Sequence, residues 1–109
     1  MRLSDRFADC TGFDWDAGNL DKNWKKHKVS FWEAEEVFFN QPIVLGPDVA
    51  HSDSEDRYFA LGKTDSGRLL FVVFTLREQQ IRIVTVRDMS TKERGIYREH
   101  EKKDSEIQE

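Results

Sequence analysis

Six consecutive apolar residues, Leu69-Leu70-Phe71-Val72-Val73-Phe74, constrain this chain more than any other feature. Side chains of a strand alternate between two faces, so a run that is apolar at every position must be covered on both and belongs inside a sheet. The runs Arg57 to Lys63, Arg68 to Thr75 and Ile81 to Arg87 are all strand-like, and short turns at Asp65-Ser66-Gly67 and Glu78-Gln79 join them. Connections this short leave antiparallel pairing as the only arrangement.

Helical patterns lie on either side of this unit. After a short alternation, Phe13-Asp14-Trp15-Asp16, the residue Asp16 can cap a helix in which Leu20, Trp24 and His27 recur at helical spacing. Ser30 with Glu33 three residues on is a capping box and starts a second helix over Phe31 to Phe39. The short link between the two predicts a helical hairpin, with Trp15, Trp24 and Trp32 in core or hairpin packing. Ile43 to Leu45 reads as a brief strand, and Asp48 to Asp56 as a loop. Ser90 and Glu93 repeat the capping box, predicting a last helix to about Glu101 and a frayed end from Lys103. The expected fold is therefore α+β: an N-terminal helical hairpin, an antiparallel sheet of about four strands and a C-terminal helix. Residues 1–12 read as an extension, 13–101 as one domain and 102–109 as a charged tail.

With 109 residues there is room for one core. No apolar run approaches the roughly 20 residues of a membrane span, the start lacks the apolar stretch of a signal peptide, and the lone Cys10 fits a reducing cytosol. Net charge is −4 but unevenly spread. Lys and Arg number 6 against 12 Asp and Glu over residues 1–56, 9 against 4 over 57–98, and 2 against 5 over 99–109. A basic middle is thus flanked by acidic ends.

The chain has no Gly-rich phosphate loop, no paired-histidine metal motif and no serine nucleophile elbow. Its candidate chemistry lies in cations on and beside the strands, Arg57, Arg68, Arg82 and Arg87, followed by Arg94, Tyr97 and Arg98. Guanidinium forks bind phosphate oxygens bidentately and stay charged at any working pH. Counting by two along the third long strand sends Arg82 and Arg87 to opposite faces unless a bulge intervenes. Arg87, at the strand end before a capped helix, is the better functional candidate, although surface arginines commonly snorkel or pair. His27 can exchange a proton near neutrality or simply close the helical hairpin. His51, in a polar loop, has a weaker case. Tyr97 can pack the last helix or orient a substrate.

The segments Phe13-Asp14-Trp15-Asp16, NWKKHKVSFWEAEEVF from Asn23 to Phe38, HSDSEDRYFALG from His51 to Gly62, GRLLFVVFT from Gly67 to Thr75 and RIVTVRDMSTKERGIY from Arg82 to Tyr97 together resemble the BrnT family. These are toxins with a variant of the RelE ribonuclease fold, neutralised by BrnA antitoxins. The likeness runs collinearly over about residues 13–98.

What the resemblance implies is RNA cleavage without a metal or other cofactor, the substrate 2′-hydroxyl acting as nucleophile. It assigns His27 or Lys26 to proton transfer or phosphate contact, Arg57 and Arg87 to phosphate stabilisation, and Tyr97 to orientation or proton transfer. Arg82 and Arg94 join Lys26 as RNA contacts. Implied partners are RNA and a DNA-binding, BrnA-like antitoxin, with a heterotetramer built through an antitoxin dimer. Asn19 departs from the family pattern, in which many relatives carry a lysine. A degenerate toxin that only binds its antitoxin is the alternative, and a stand-alone binding domain a third reading.

Overall fold

The computed structural model describes residues 9–51 and 55–107. Five strands form one sheet: β1 (Gly12–Trp15), β2 (Val44–Pro47), β3 (Tyr58–Lys63), β4 (Leu69–Arg77) and β5 (Gln80–Asp88), in the order β1-β5-β4-β3-β2. The helices are α1 (Ala17–His27), α2 (Phe31–Glu36), which runs into a 3-10 turn at Val37–Phe39, and α3 (Thr91–Ile107).

The apolar run lies where alternation demands, with β4 between β3 and β5 and antiparallel to both. Its even-numbered residues Leu70, Val72 and Phe74 join Val29, Ala34, Val37, Ile83 and Val86 in the larger core under α1 and α2. On the other face, Leu69 and Phe71 pack against a smaller core of Leu61, Met89 and Tyr97 beneath α3. Full burial of each large aliphatic or aromatic side chain favours folding by about 1.5–3 kcal/mol. The β4–β5 turn is as tight as the spacing suggested, because Glu78 and Gln79 both take positive φ, at 49° and 64°. Two such residues match the twist of a two-residue hairpin.

Several expectations change. The sheet is mixed and five-stranded, not an antiparallel one of about four strands, because β1 lies parallel to β5 in the register Phe13↔Ile81 to Trp15↔Ile83. The helical hairpin gives way to two helices that each meet the sheet. Helix α1 lies on β5, while the 3-10 turn after α2 lies on β3. Between them Val29, 1% exposed, is drawn into the core, and Lys28, at φ 55°, ends α1 in the left-handed conformation. A cleft of about 460 Å3 lined by Trp24, Phe31 and Trp32 separates the outer parts of the helices. Trp24 and Trp32 are consequently about half exposed, whereas Trp15 packs against the core and donates Nε1–H to Glu35 at 2.7 Å. Finally, α3 continues past Glu101 to Ile107, and β1 begins at Gly12, inside the segment read as an extension.

Where β1 leaves the sheet after Trp15, the rest of β5 is left with an edge. The buried Asn23 of α1 closes it, its Oδ1 accepting from the Val86 N–H at 3.2 Å and from the Thr85 hydroxyl at 3.4 Å. A side-chain carbonyl thus does for the Val86 amide what a neighbouring strand would do.

Candidate functional site

The register between β4 and β5 slips once. Val73 faces Thr85 while Phe74 faces Ile83, so Val84 is an extra residue, a β-bulge. Arg82 therefore pairs with Thr75 and Arg87 with Phe71, and both arginines emerge on the face that carries α3. The opposite-face placement from uninterrupted alternation is corrected by this one residue.

Most of the basic middle of the chain is matched by carboxylates from its acidic ends. Arg82 bonds Asp14 at 2.9 Å and approaches Asp16 at 3.5 Å. Arg77 grips Glu55 at 3.0 and 3.1 Å, and Lys63 meets Glu101 at 3.3 Å. The charge blocks of the sequence are therefore largely folded onto one another.

Donor counting separates the arginines of the β5 end. Arg68 uses all five N–H groups: Nε and Nη2 to Asp88 at 2.8 and 3.1 Å, Nη1 to the Lys28 carbonyl at 2.9 Å and to Glu33 at 3.2 Å, and Nη2 to the His27 carbonyl at 3.3 Å. Such a guanidinium has nothing left for a ligand. It ties the end of α1, the start of α2 and the end of β5 together. Its hydrogen bonds hold the Asp88 carboxyl below the usual carboxylate range, with weaker pulls from Arg94 and His27.

Arg87 differs. Its Nη1 and Nη2 meet the two oxygens of Glu93 at 2.8 and 3.0 Å, and Nη1 also reaches the Asp88 carbonyl at 3.1 Å. The guanidinium lies over Phe71, with Cζ 4.1 Å from the ring centroid. Among the described residues no acceptor meets Nε–H or the second Nη2 hydrogen, which form the lateral edge of the fork. Glu93 is itself fixed, because Oε1 accepts the Ser90 N–H at 2.8 Å in the capping box of α3. Hydrogen bonds from Arg87 lower the Glu93 pKa, and that carboxylate raises the Arg87 pKa in turn. The result is a pinned, half-exposed cation with one edge open, a geometry suited to a phosphate oxygen pair.

The other expected site residues divide. His27 and Arg94 lie near enough to Asp88 for their charges to act on it, so they flank the β5 end with Arg87. Lys26 is exposed on α1. Arg57 stands one residue before β3, and its charge, with those of Arg77 and Arg82, acts on Glu55. From there to Leu61, the β3 residue in the row of Phe71 and Arg87, is four residues, about 13 Å along the strand. The backbone thus sets Arg57 and Arg87 well apart along the sheet. Tyr97 is wholly buried and donates its hydroxyl to the Pro42 carbonyl at 2.8 Å, so it packs α3 onto the sheet. The side chain of His51 lies outside the described residues. Glu93 and Phe71, which position Arg87, went unrecognised as site residues; the capping-box spacing was the available signal for the first, and for the second there was none.

The family model described as "Ribonuclease toxin, BrnT, of type II toxin-antitoxin system" matches residues 15–93. The chain belongs to the BrnT family. Among solved structures, the BrnT ribonuclease toxin of Brucella abortus is similar in fold, with a TM-score of 0.58 at 20% identity over 74% of this chain and 99% of that one. No curated protein matches by sequence. BrnT membership makes this chain a ribonuclease toxin of a type II toxin-antitoxin system, a class that implies a cognate antitoxin. The pinned Arg87 and its neighbours are the part of this BrnT chain whose geometry fits such chemistry. No described helix is long and apolar enough to cross a membrane.

Proposed function

We propose that the chain cuts RNA by attack of the substrate 2′-hydroxyl on the adjacent phosphodiester, with the scissile phosphate on the open edge of Arg87. The attack closes a 2′,3′-cyclic phosphate, breaks the bond from phosphorus to the 5′-oxygen and releases that oxygen as a hydroxyl. The observation that carries this reading is the end-on grip of Glu93 and the Phe71 ring beneath, which leave Nε–H and one Nη2–H directed outward. As the nucleophile attacks, negative charge grows on the phosphate oxygens, and a cation already held in place stabilises it without rearrangement. His27, whose charge acts on Asp88, is the group for proton transfer, and Arg94 and Lys26 supply further cations along the RNA. Arg57 and Arg82, at the other end of the strands, serve a neighbouring phosphate. This route asks for no metal, as the family resemblance implies.

The same reading covers the partner: a DNA-binding, BrnA-like antitoxin in a heterotetramer, with the pair acting in the cytosol on a RelE-like toxin fold. One observation favours the second reading, an antitoxin-binding chain without turnover: the carboxylates facing Arg68, Arg77, Arg82 and Arg87 reduce the positive potential that RNA would meet.

The deciding experiment incubates purified chain with RNA in the presence of a chelator, beside Arg87→Ala. Cleavage by the first and not by the second, with the second still folded and less stable by only about 1 kcal/mol, is the expected result. Cleavage undiminished in Arg87→Ala would remove that residue from the mechanism. Complete inactivity of the parent chain, with tight antitoxin binding retained, would select the second reading.

A further inference from the structure

Next to Arg87 a cleft of about 300 Å3 opens between α3 and the sheet. Phe59, Leu61 and Phe71 form its floor, Glu93 and Ile96 its wall, and the exposed Lys92 stands at its mouth. The floor owes its shape to a glycine. A Cβ at Gly46 of β2 would come within 2.7 Å of the Phe59 ring, so only a residue without a side chain lets that ring settle against the neighbouring strand. Phe59 and Phe71 then lie nearly parallel, 16° between planes and 6.1 Å between centroids, and the Arg87 guanidinium continues the row over Phe71. Ile96 is left 43% exposed beside this apolar floor.

We propose that the cleft is a nucleobase subsite, receiving the base adjacent to the phosphate on Arg87. The inference rests on the ribonuclease reading and adds to it a place where the base is held. Aromatic and guanidinium planes are the surfaces on which unstacked bases settle. An aliphatic side chain from a protein could fill the floor, but it would leave the open edge of Arg87 without an acceptor. A nucleotide supplies a flat ring for the cleft and phosphate oxygens for the edge, in adjoining positions. Lys92 at the mouth, and the Ser90 hydroxyl that also lines the cleft, can reach the polar rim of a base.

The test uses the intact chain and a series of fully 2′-O-methylated oligoribonucleotides, which lack the nucleophile, each abasic at a different position. One position should stand out, where loss of the base weakens binding about tenfold, as loss of one stacked base does. Phe59→Leu keeps an apolar residue but removes the flat ring. Ile96→Trp fills the cleft from an exposed position. Both should cut the abasic penalty to less than about twofold, with melting temperatures close to that of the parent. A parent chain indifferent to the abasic position, or a penalty undiminished in Ile96→Trp, overturns the subsite. So does loss of antitoxin binding in Ile96→Trp with an unchanged abasic penalty, which would make the cleft a protein contact. A parent chain that neither binds nor cuts RNA fails the ribonuclease reading itself, an outcome distinct from these.

Discussion

Arg87 and Glu93 face each other as two forks, joined at 2.8 and 3.0 Å, six residues apart across the turn from β5 into α3. The carboxylate is fixed by its own helix cap, so the pair sets where the guanidinium points. Losing the Arg87 side chain should therefore act on chemistry far more than on folding. Arg87→Ala is expected to lower the cleavage rate constant about 100-fold or more, the usual effect of deleting one transition-state donor. The pair is partly exposed, with Arg87 at 37%, so stability should fall by only about 1 kcal/mol. Single-turnover cleavage and urea unfolding measure the two effects. Arg87→Lys should not restore the rate, because an ammonium cannot bind Glu93 and a phosphate through separate planar edges.

Acid should unfold the protein through its carboxylates. Glu33, Glu55, Asp88, Glu93 and Glu101 all have pKa values lowered in the folded state. A lowered folded pKa means stability that is fully present above the unfolded carboxylate value of about 4 and is lost as pH falls through the folded one. Melting temperature should be flat between about pH 6 and 8 and fall steadily below about pH 5. Glu93→Gln, with one of these carboxylates gone, should show a shallower fall in the same series of melts. An identical acid limb in the two proteins would exclude Glu93 from the linkage.

Arg68 is expected to behave in the opposite way to Arg87. Truncation to Ala strands two carboxylates and two backbone carbonyls, and should destabilise by about 2–3 kcal/mol. Arg68→Lys, with three donors in place of five, should recover only part of this. Chemical denaturation of the three proteins supplies the comparison, and equal midpoints would contradict the five-bond description.

Tyr97→Phe separates a packing role from a catalytic one. Removing the hydroxyl leaves the Pro42 carbonyl without its donor and should lower stability by about 1 kcal/mol. The cleavage rate should stay within about twofold of the parent, since the phenol is buried. A hundredfold loss of rate would return Tyr97 to the chemistry.

Much of the scaffold was legible because its determinants are local. Two capping boxes, Ser30 with Glu33 and Ser90 with Glu93, lie at the starts of α2 and α3 as their spacing indicated. The doubly apolar run became the strand between two antiparallel neighbours. The rest depended on partners distant in the chain. Nothing near Phe13 says that it will lie parallel to Ile81, and nothing near Arg68 says that five acceptors from three elements will surround it. Charge counting failed for the same reason. The excess of arginine in the middle of the chain is real, but Asp14, Asp16, Glu33 and Glu55 come from a segment that folds back over it.

Val84 adds no functional group of its own, yet it governs on which side of the sheet its neighbours appear. Were Val84 paired like its neighbours instead of bulged out, alternation along β5 would run unbroken. Held in place by Ile81 and Ile83, the strand would turn Arg87 under the helices and Val86 outward. A scan that exchanges one amino acid for another, length unchanged, would pass over this control entirely. What is inherited at that position is a count, and deleting that one codon would straighten the strand while leaving Arg87 and Val86 on their present faces.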